Sequence, residues 1–211
     1  MTTEQYKNLT IRTGTYDRAI VNEVTRSYGW LDCEGRKVLD VGCNIGAFAR
    51  MAVDKGASKV MGFEPELENY DLAALNCPEA DIYQGALISG DEQSISFYLS
   101  TSGKNPGNYS TTEFRGRKKI TVLTRKFQTV LDQFQPDVIK MDCEGSEYDL
   151  LLNTPLPDCV KEIAVEIHLN KPEWRAKKAK QLIKIFKGWK KVVKPTVGDK
   201  NWHTMAGFRR D

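Results

Sequence analysis

Four polar residues stand at or near the ends of short apolar runs: Asp40 in Lys37-Val-Leu-Asp-Val, Glu64 after Val60–Phe63, Asp142 after Val138–Met141, and His168 after Val160–Ile167. Carboxylates accept hydrogen bonds from hydroxyls and attract cations, and histidine exchanges a proton near neutrality. If the four runs are parallel strands of one open sheet, their carboxyl ends share a rim, which is where ligands bind in such sheets. The four residues would then meet in space although they are far apart in the chain. Core packing alone gives no reason for polar groups at four strand ends.

The element that positions the first of them runs from Lys37 to Met51. Val38, Leu39 and Val41 read as a buried strand, Gly42 and Gly46 bracket a tight turn, and Ala47–Val53 opens a helix. Strand, glycine turn and helix make the first half of a nucleotide-binding βαβ unit. A dinucleotide pyrophosphate needs glycine at the second position of that turn, and Asn44 stands there instead. Asp40 is awkward beside a phosphate but suits a cationic, hydroxyl-rich ligand. S-adenosylmethionine has no phosphate and carries an amino group, a sulfonium and a ribose, so it is the expected cofactor. Glu64 lies about twenty residues past the first glycine, where a strand-end carboxylate accepts ribose hydroxyls. Gly85-Ala86 has side chains small enough for an adenine to lie near the backbone. The expected cofactor set is Asp40, Gly42, Asn44, Ile45, Gly46, Phe48, Glu64, Pro65, Gly85, Ala86 and Asp142. The competing reading is a ligand-free βα turn followed by ordinary turn residues.

A chain of 211 residues with net charge +3 suits one α/β domain with a sizeable core. No apolar run approaches the roughly 20 residues of a membrane span, and the first residues lack a signal-peptide core, so a cytoplasmic location is expected. The five cysteines are scattered, with no Cys-x-x-Cys pair, which fits reduced thiols better than a zinc site or a disulfide framework.

Residues 1–30 read as a polar segment followed by a helix from Asp17 to Tyr28, with Ile20, Val21, Val24 and Tyr28 on one face. Residues 94–123 read as a strand–loop–strand insertion that covers a substrate cleft, with Ser110 and Asn108 in its loop. Between Pro172 and Trp189 a helix is expected, with one apolar face and one face of lysines. The lysines suggest a nucleic-acid contact, against which a solvated helix face has to be weighed. Val192-Val193 and Thr204–Phe208 suggest a closing hairpin around Gly198-Asp199.

Asp40-Val-Gly-Cys-Asn-Ile-Gly46, Gly62-Phe-Glu-Pro65 and Ile139-Lys-Met-Asp-Cys-Glu-Gly-Ser-Glu147 together resemble the class I, Rossmann-like methyltransferases, and within them the FkbM-type family. The Glu166-Ile-His168 strand end also fits. The resemblance spans Val38 to His168, and the third motif is its most specific part. It implies a doubly wound, mostly parallel seven-stranded sheet with one antiparallel strand near the C-terminus. It further implies S-adenosylmethionine as cofactor and methyl transfer, usually to a hydroxyl. Arg125-Lys126-Phe127 departs from the Leu-Asp pair that commonly opens the helix before the Asp142 strand, which puts that helix start in question.

The cofactor's methyl group is already activated, so the protein supplies binding, alignment and proton removal. His168 is the expected base, with Asp142 and Glu144 beside it and Glu147 a second acidic neighbour. Asp142 orients the imidazole, touches the acceptor or holds a divalent ion such as magnesium. His203 is expected to be structural. Two other classes stay open: an NAD(P)-type oxidoreductase, and a non-catalytic cofactor-binding or nucleic-acid-binding module using the lysine-rich segment 172–191. The absence of an Asn/Asp-Pro-Pro-aromatic loop speaks against methylation of a base amino group, and Cys77 precedes rather than follows Pro78. Small-molecule, glycan, polyketide, lipid, peptide and nucleic-acid hydroxyls all remain candidate acceptors.

Overall fold

A computed structural model describes residues 2–99, 118–169, 177–197 and 202–210. In chain order the elements are β1 (Thr3–Tyr6), β2 (Leu9–Arg12), α1 (Asp17–Tyr28), β3 (Lys37–Val41), α2 (Ala47–Asp54), β4 (Lys59–Glu64), α3 (Leu67–Asn76) and β5 (Asp81–Gln84). There follow β6 (Ala86–Ile88), β7 (Ser94–Leu99), β8 (Lys118–Lys126), α4 (Phe127–Phe134), β9 (Val138–Met141), α5 (Glu147–Asn153), β10 (Glu162–His168), α6 (Ala179–Ile185), β11 (Lys190–Val193) and β12 (His203–Arg209).

Seven strands form one sheet in the order β11-β12-β10-β9-β3-β4-β5. β3 is parallel to both β4 and β9, β9 is parallel to β10, and β12 runs antiparallel to β10 and β11. This is the doubly wound sheet with one reversed strand that the motifs imply. Its strands alternate between two cores, because successive side chains point to opposite faces. Leu39, Ile163, Val165 and Ile167 pack with α4, α5 and α6, whereas Val38 and Ala164 pack with α1, α2 and α3. Asp40, Lys140, Glu166 and His168 share the parity of this second face.

Two local outcomes differ from the sequence reading. The polar N-terminal segment is a hairpin, β1–β2, whose Leu9 and Ile11 are buried and whose Arg12 pairs with buried Asp17. Arg125-Lys126-Phe127 does not prevent a helix: α4 starts at Phe127 and buries Phe127, Val130, Leu131 and Phe134. That i, i+3, i+4, i+7 stripe faces the core and drives the helix without a side-chain cap.

In the insertion, β7 and β8 pair antiparallel and β6 joins β8 in a small separate sheet. Its loop with Asn108 and Ser110, the start of the lysine-rich segment and the Gly198-Asp199 turn lie outside the described residues. Among the described residues no helix is long and apolar enough to cross a membrane.

Candidate active site

A cavity of about 570 Å³ opens at the carboxyl rim of the sheet, within the range typical of small-ligand sites. Gly42, Asn44, Phe48, Glu64, Pro65, Gly85 and Ala86 line one part, and Asp142, Glu144 and His168 line another. The residues singled out at strand ends and turns are therefore brought together, with three exceptions. Asp40 lies fully buried outside the lining, Ile45 packs in the core under α1 and α2, and Gly46 packs against Ala73 of α3.

The glycine turn is built by backbone conformation. Gly42, Asn44 and Gly46 all take positive φ, at 77°, 50° and 80°. Asparagine tolerates the left-handed region because its short amide bonds locally, and here Asn44 Oδ1 accepts from Ile45 N at 2.8 Å. A Cβ on Gly42 would lie 1.9 Å from the Asp142 carbonyl oxygen. Only glycine lets the turn after β3 touch the loop after β9.

Beneath that turn is a residue the sequence reading passed over. Lys140, in the middle of β9, is buried, donates to the Gly42 carbonyl at 2.6 Å and lies 3.1 Å from Asp40 Oδ1 as an ion pair. Burial works against its charge, but Asp40 and Asp142 outweigh burial and hold its proton above the usual lysine range. Burial likewise pushes Asp40 upward, and Lys140 draws it back. Asp40 thus braces the turn through Lys140, and its side chain lies outside the cavity lining rather than among the expected ligand contacts. A lysine inside the run Val-Ile-Lys-Met was the available signal, since lysine is rarely buried without a partner.

Glu64 closes the turn from the other side. Its two oxygens accept from Asn44 N and Glu66 N, each at 2.9 Å. Burial pushes its pKa up to about 7, although those two backbone donors pull it down. Each oxygen keeps a further lone pair for a hydroxyl.

The loop after β9 carries the second cluster. His168 Nε2 lies 3.5 Å from Glu144 Oε2 and 4.0 Å from Asp142 Oδ1, and its Nδ1 is 3.3 Å from Glu147 Oε1. Glu147 is fully buried and also accepts from His168 N and Gly145 N, both at 2.8 Å, tying the loop to the end of β10. Burial alone would strip the His168 proton, yet Glu147, then Glu144 and Asp142, outweigh burial and push its pKa up to about 10. The three carboxylates therefore favour the protonated form of His168. That environment weighs against His168 as a proton acceptor. Asp142, Glu144 and His168 present donor atoms within 4.8 Å of one another, but a divalent cation entering there would have to displace that proton. Burial pushes the Cys43 and Cys143 thiols well up, which disfavours their thiolate forms.

Trp202 and His203 were not anticipated in the lining. Glu166, Trp202 and His203 also line the cavity, as do Tyr16, Ala19, Ile20 and Glu23 of the α1 region. Trp202 and Tyr16 are large and exposed.

A doubly wound sheet with one reversed strand and a glycine-turn cavity at its carboxyl rim defines the class I, Rossmann-like methyltransferase architecture. Within that class, the methyltransferase FkbM domain profile matches residues 40–193, and the chain belongs to this family. No curated protein sequence matches the chain. Among solved structures it is similar to a TehB-like S-adenosylmethionine-dependent methyltransferase from Corynebacterium glutamicum, at 15% identity and TM-score 0.49, covering 93% of this chain and 96% of that one. Fibrillarin from Aeropyrum pernix, in complex with S-adenosylmethionine, aligns at 12% identity and TM-score 0.49 over 98% of this chain and 81% of that one.

Proposed function

We propose that the protein transfers the methyl group of S-adenosylmethionine to a hydroxyl group of an acceptor. The observation that carries this reading is the rim cavity lined by the Gly42–Asn44 turn, the Glu64 carboxylate and the Asp142–Glu144–His168 cluster. The donor chemistry fits the cofactor: Glu64 offers oxygens to the ribose, Phe63, Pro65, Gly85 and Ala86 offer a flat apolar wall to the adenine, and Asp142 offers negative charge to the amino group. When bound, the cofactor supplies an activated methyl group. The chain supplies alignment, which contributes several kcal/mol, and proton removal, which contributes about 10²–10⁴-fold. His168 serves here as a fixed cation that holds Asp142 and Glu144 in place. No step in this reading calls for a divalent cation.

Asn44 disfavours a dinucleotide, because its side chain stands where a pyrophosphate needs bare backbone. The test is a thermal shift with S-adenosylhomocysteine run beside NAD and NADP, followed by release of S-adenosylhomocysteine across a panel of sugar, polyketide, lipid and peptide hydroxyls. A ligand at about 100 times its dissociation constant adds about 2.7 kcal/mol, or about 5–10 °C for a chain of this size. A shift with S-adenosylhomocysteine alone is expected. A shift with a dinucleotide alone would make the protein an oxidoreductase.

A further inference from the structure

The polar wall of the cavity holds a second imidazole beside His168. β12 runs antiparallel to β10 with His203 directly opposite His168, and Glu166 stands two residues earlier on the same face of β10. Directly opposed side chains in such a pair share a face, and a diagonal neighbour stays within reach of a long side chain. Glu166 Oε1 is hydrogen-bonded to His203 Nδ1. A carboxylate only accepts, so in the neutral imidazole Nδ1 carries the proton and Nε2 keeps its lone pair. The two imidazole rings are 6.4 Å apart. They differ in surroundings: the His203 side chain is 53% exposed and that of His168 is 9% exposed.

We propose that His203, oriented by Glu166, takes the proton of the acceptor hydroxyl. The assignment rests on the methyl-transfer reading above. His203 Nε2 accepts the hydroxyl proton as the new oxygen–methyl bond forms and the sulfonium–methyl bond breaks, its electron pair remaining on sulfur. Glu166 stabilises the resulting imidazolium, and the exposed edge of His203 returns the proton to water. Glu166 is a positioning residue, because it acts through the ring of His203.

The other titratable groups lining this cavity are His168, Asp142, Cys143 and Glu144 at the β9 and β10 ends, Lys140 on β9, Cys43 and Glu64 at the glycine-turn side, and Tyr16, Glu23 and Tyr28 from the α1 region. His168 is not a rival acceptor, because the carboxylates of Glu147, Glu144 and Asp142 keep it protonated to about 10. The two imidazoles thus divide the work: the surrounding carboxylates hold the proton on one, and the other cycles.

The chain contains only two histidines, so imidazole ¹⁵N NMR on the full chain at pH 8.5 reads both. A doubly protonated His168 ring is expected, and for His203 the tautomer with its proton on Nδ1, facing Glu166. His203→Gln should remove the second set of signals and keep the thermal shift with S-adenosylhomocysteine. Glu166→Gln should release the tautomer bias, so that a form protonated on Nε2 appears, which loss of packing would not produce. With an acceptor drawn from the hydroxyl panel, His203→Gln should lower kcat by about 10²–10⁴-fold and leave the KM for the cofactor little changed. A His203 ring that is doubly protonated or protonated on Nε2 at pH 8.5, or an unaltered kcat in His203→Gln, overturns the assignment while leaving the function standing. A wild-type chain without a thermal shift for S-adenosylhomocysteine overturns the function itself, whatever the tautomer.

Discussion

Affinity for S-adenosylhomocysteine is expected to rise with pH across neutrality, and Glu64 is the reason. Its carboxyl is buried, accepts from Asn44 N and Glu66 N, and has its pKa pushed up to about 7 by burial. In the empty site about one tenth of the molecules carry the carboxylate at pH 6 and about nine tenths at pH 8. Ribose hydroxyls donate to the carboxylate and favour that form, so affinity should increase about tenfold between those values, or about 1.4 kcal/mol. Binding at pH 7 should release about half a proton. Isothermal titration calorimetry at pH 6, 7 and 8, in buffers of different ionisation enthalpy, reads both quantities. The unliganded fold should show the opposite trend. A carboxyl raised in the folded state stabilises fully below its ordinary value of 4.5, and that contribution is lost as pH rises through about 7. Glu64→Gln should flatten the affinity profile and bind more weakly, because an amide cannot accept from both backbone donors and leaves one facing its NH₂ group, a cost of about 1–3 kcal/mol. Wild-type affinity that is level or falling from pH 6 to 8 would refute the placement of the ribose on Glu64.

Three further perturbations probe the frame around the cavity. Lys140→Met leaves Asp40 as an unpaired buried charge and should cost about 3–5 kcal/mol in urea unfolding, and adding Asp40→Asn should restore part of it; a loss below about 1 kcal/mol would deny the brace. Gly42→Ala forces a Cβ to within 1.9 Å of the Asp142 carbonyl at a φ of 77°, so calorimetry should find ligand binding abolished. Gly188→Ala, at a φ of 95° with nothing within 4 Å, should cost only the backbone strain of about 1–3 kcal/mol and leave binding intact. His168, with its pKa raised to about 10, stabilises the fold fully below about 6.5, and that contribution is lost as pH rises through 10. Wild-type stability should therefore fall by about 3–4 kcal/mol more than that of His168→Gln between pH 7 and 10 in pH-resolved denaturation. Equal slopes would show that the carboxylates do not hold the proton.

The motifs from Asp40 to Gly46, from Gly62 to Pro65 and from Ile139 to Glu147 were enough to read the parallel sheet, the rim and the family. Strand and helix patterning with glycine turns is local information, and each element carries its own share of it. Helix α1 was legible to the residue because its apolar face repeats at helical spacing. The start of α4 was not: the departure at Arg125-Lys126-Phe127 is local, whereas the burial of Phe127, Val130, Leu131 and Phe134 that outweighs it depends on the sheet beneath. The same division holds in the site.

The sequence by itself determined which side chains stand at strand ends and which glycines bend the turn. Only the tertiary structure decided what each of those side chains does. Asp40 became a brace because Lys140, one hundred residues on, lies beside it across the β3–β9 pairing. His168 is drawn toward its protonated form because Asp142, Glu144 and Glu147 close around it, and His203 meets Glu166 across the β10–β12 pairing. Protonation depends on burial and on distances of a few ångströms between groups remote in the chain, and those distances exist only once the sheet is assembled.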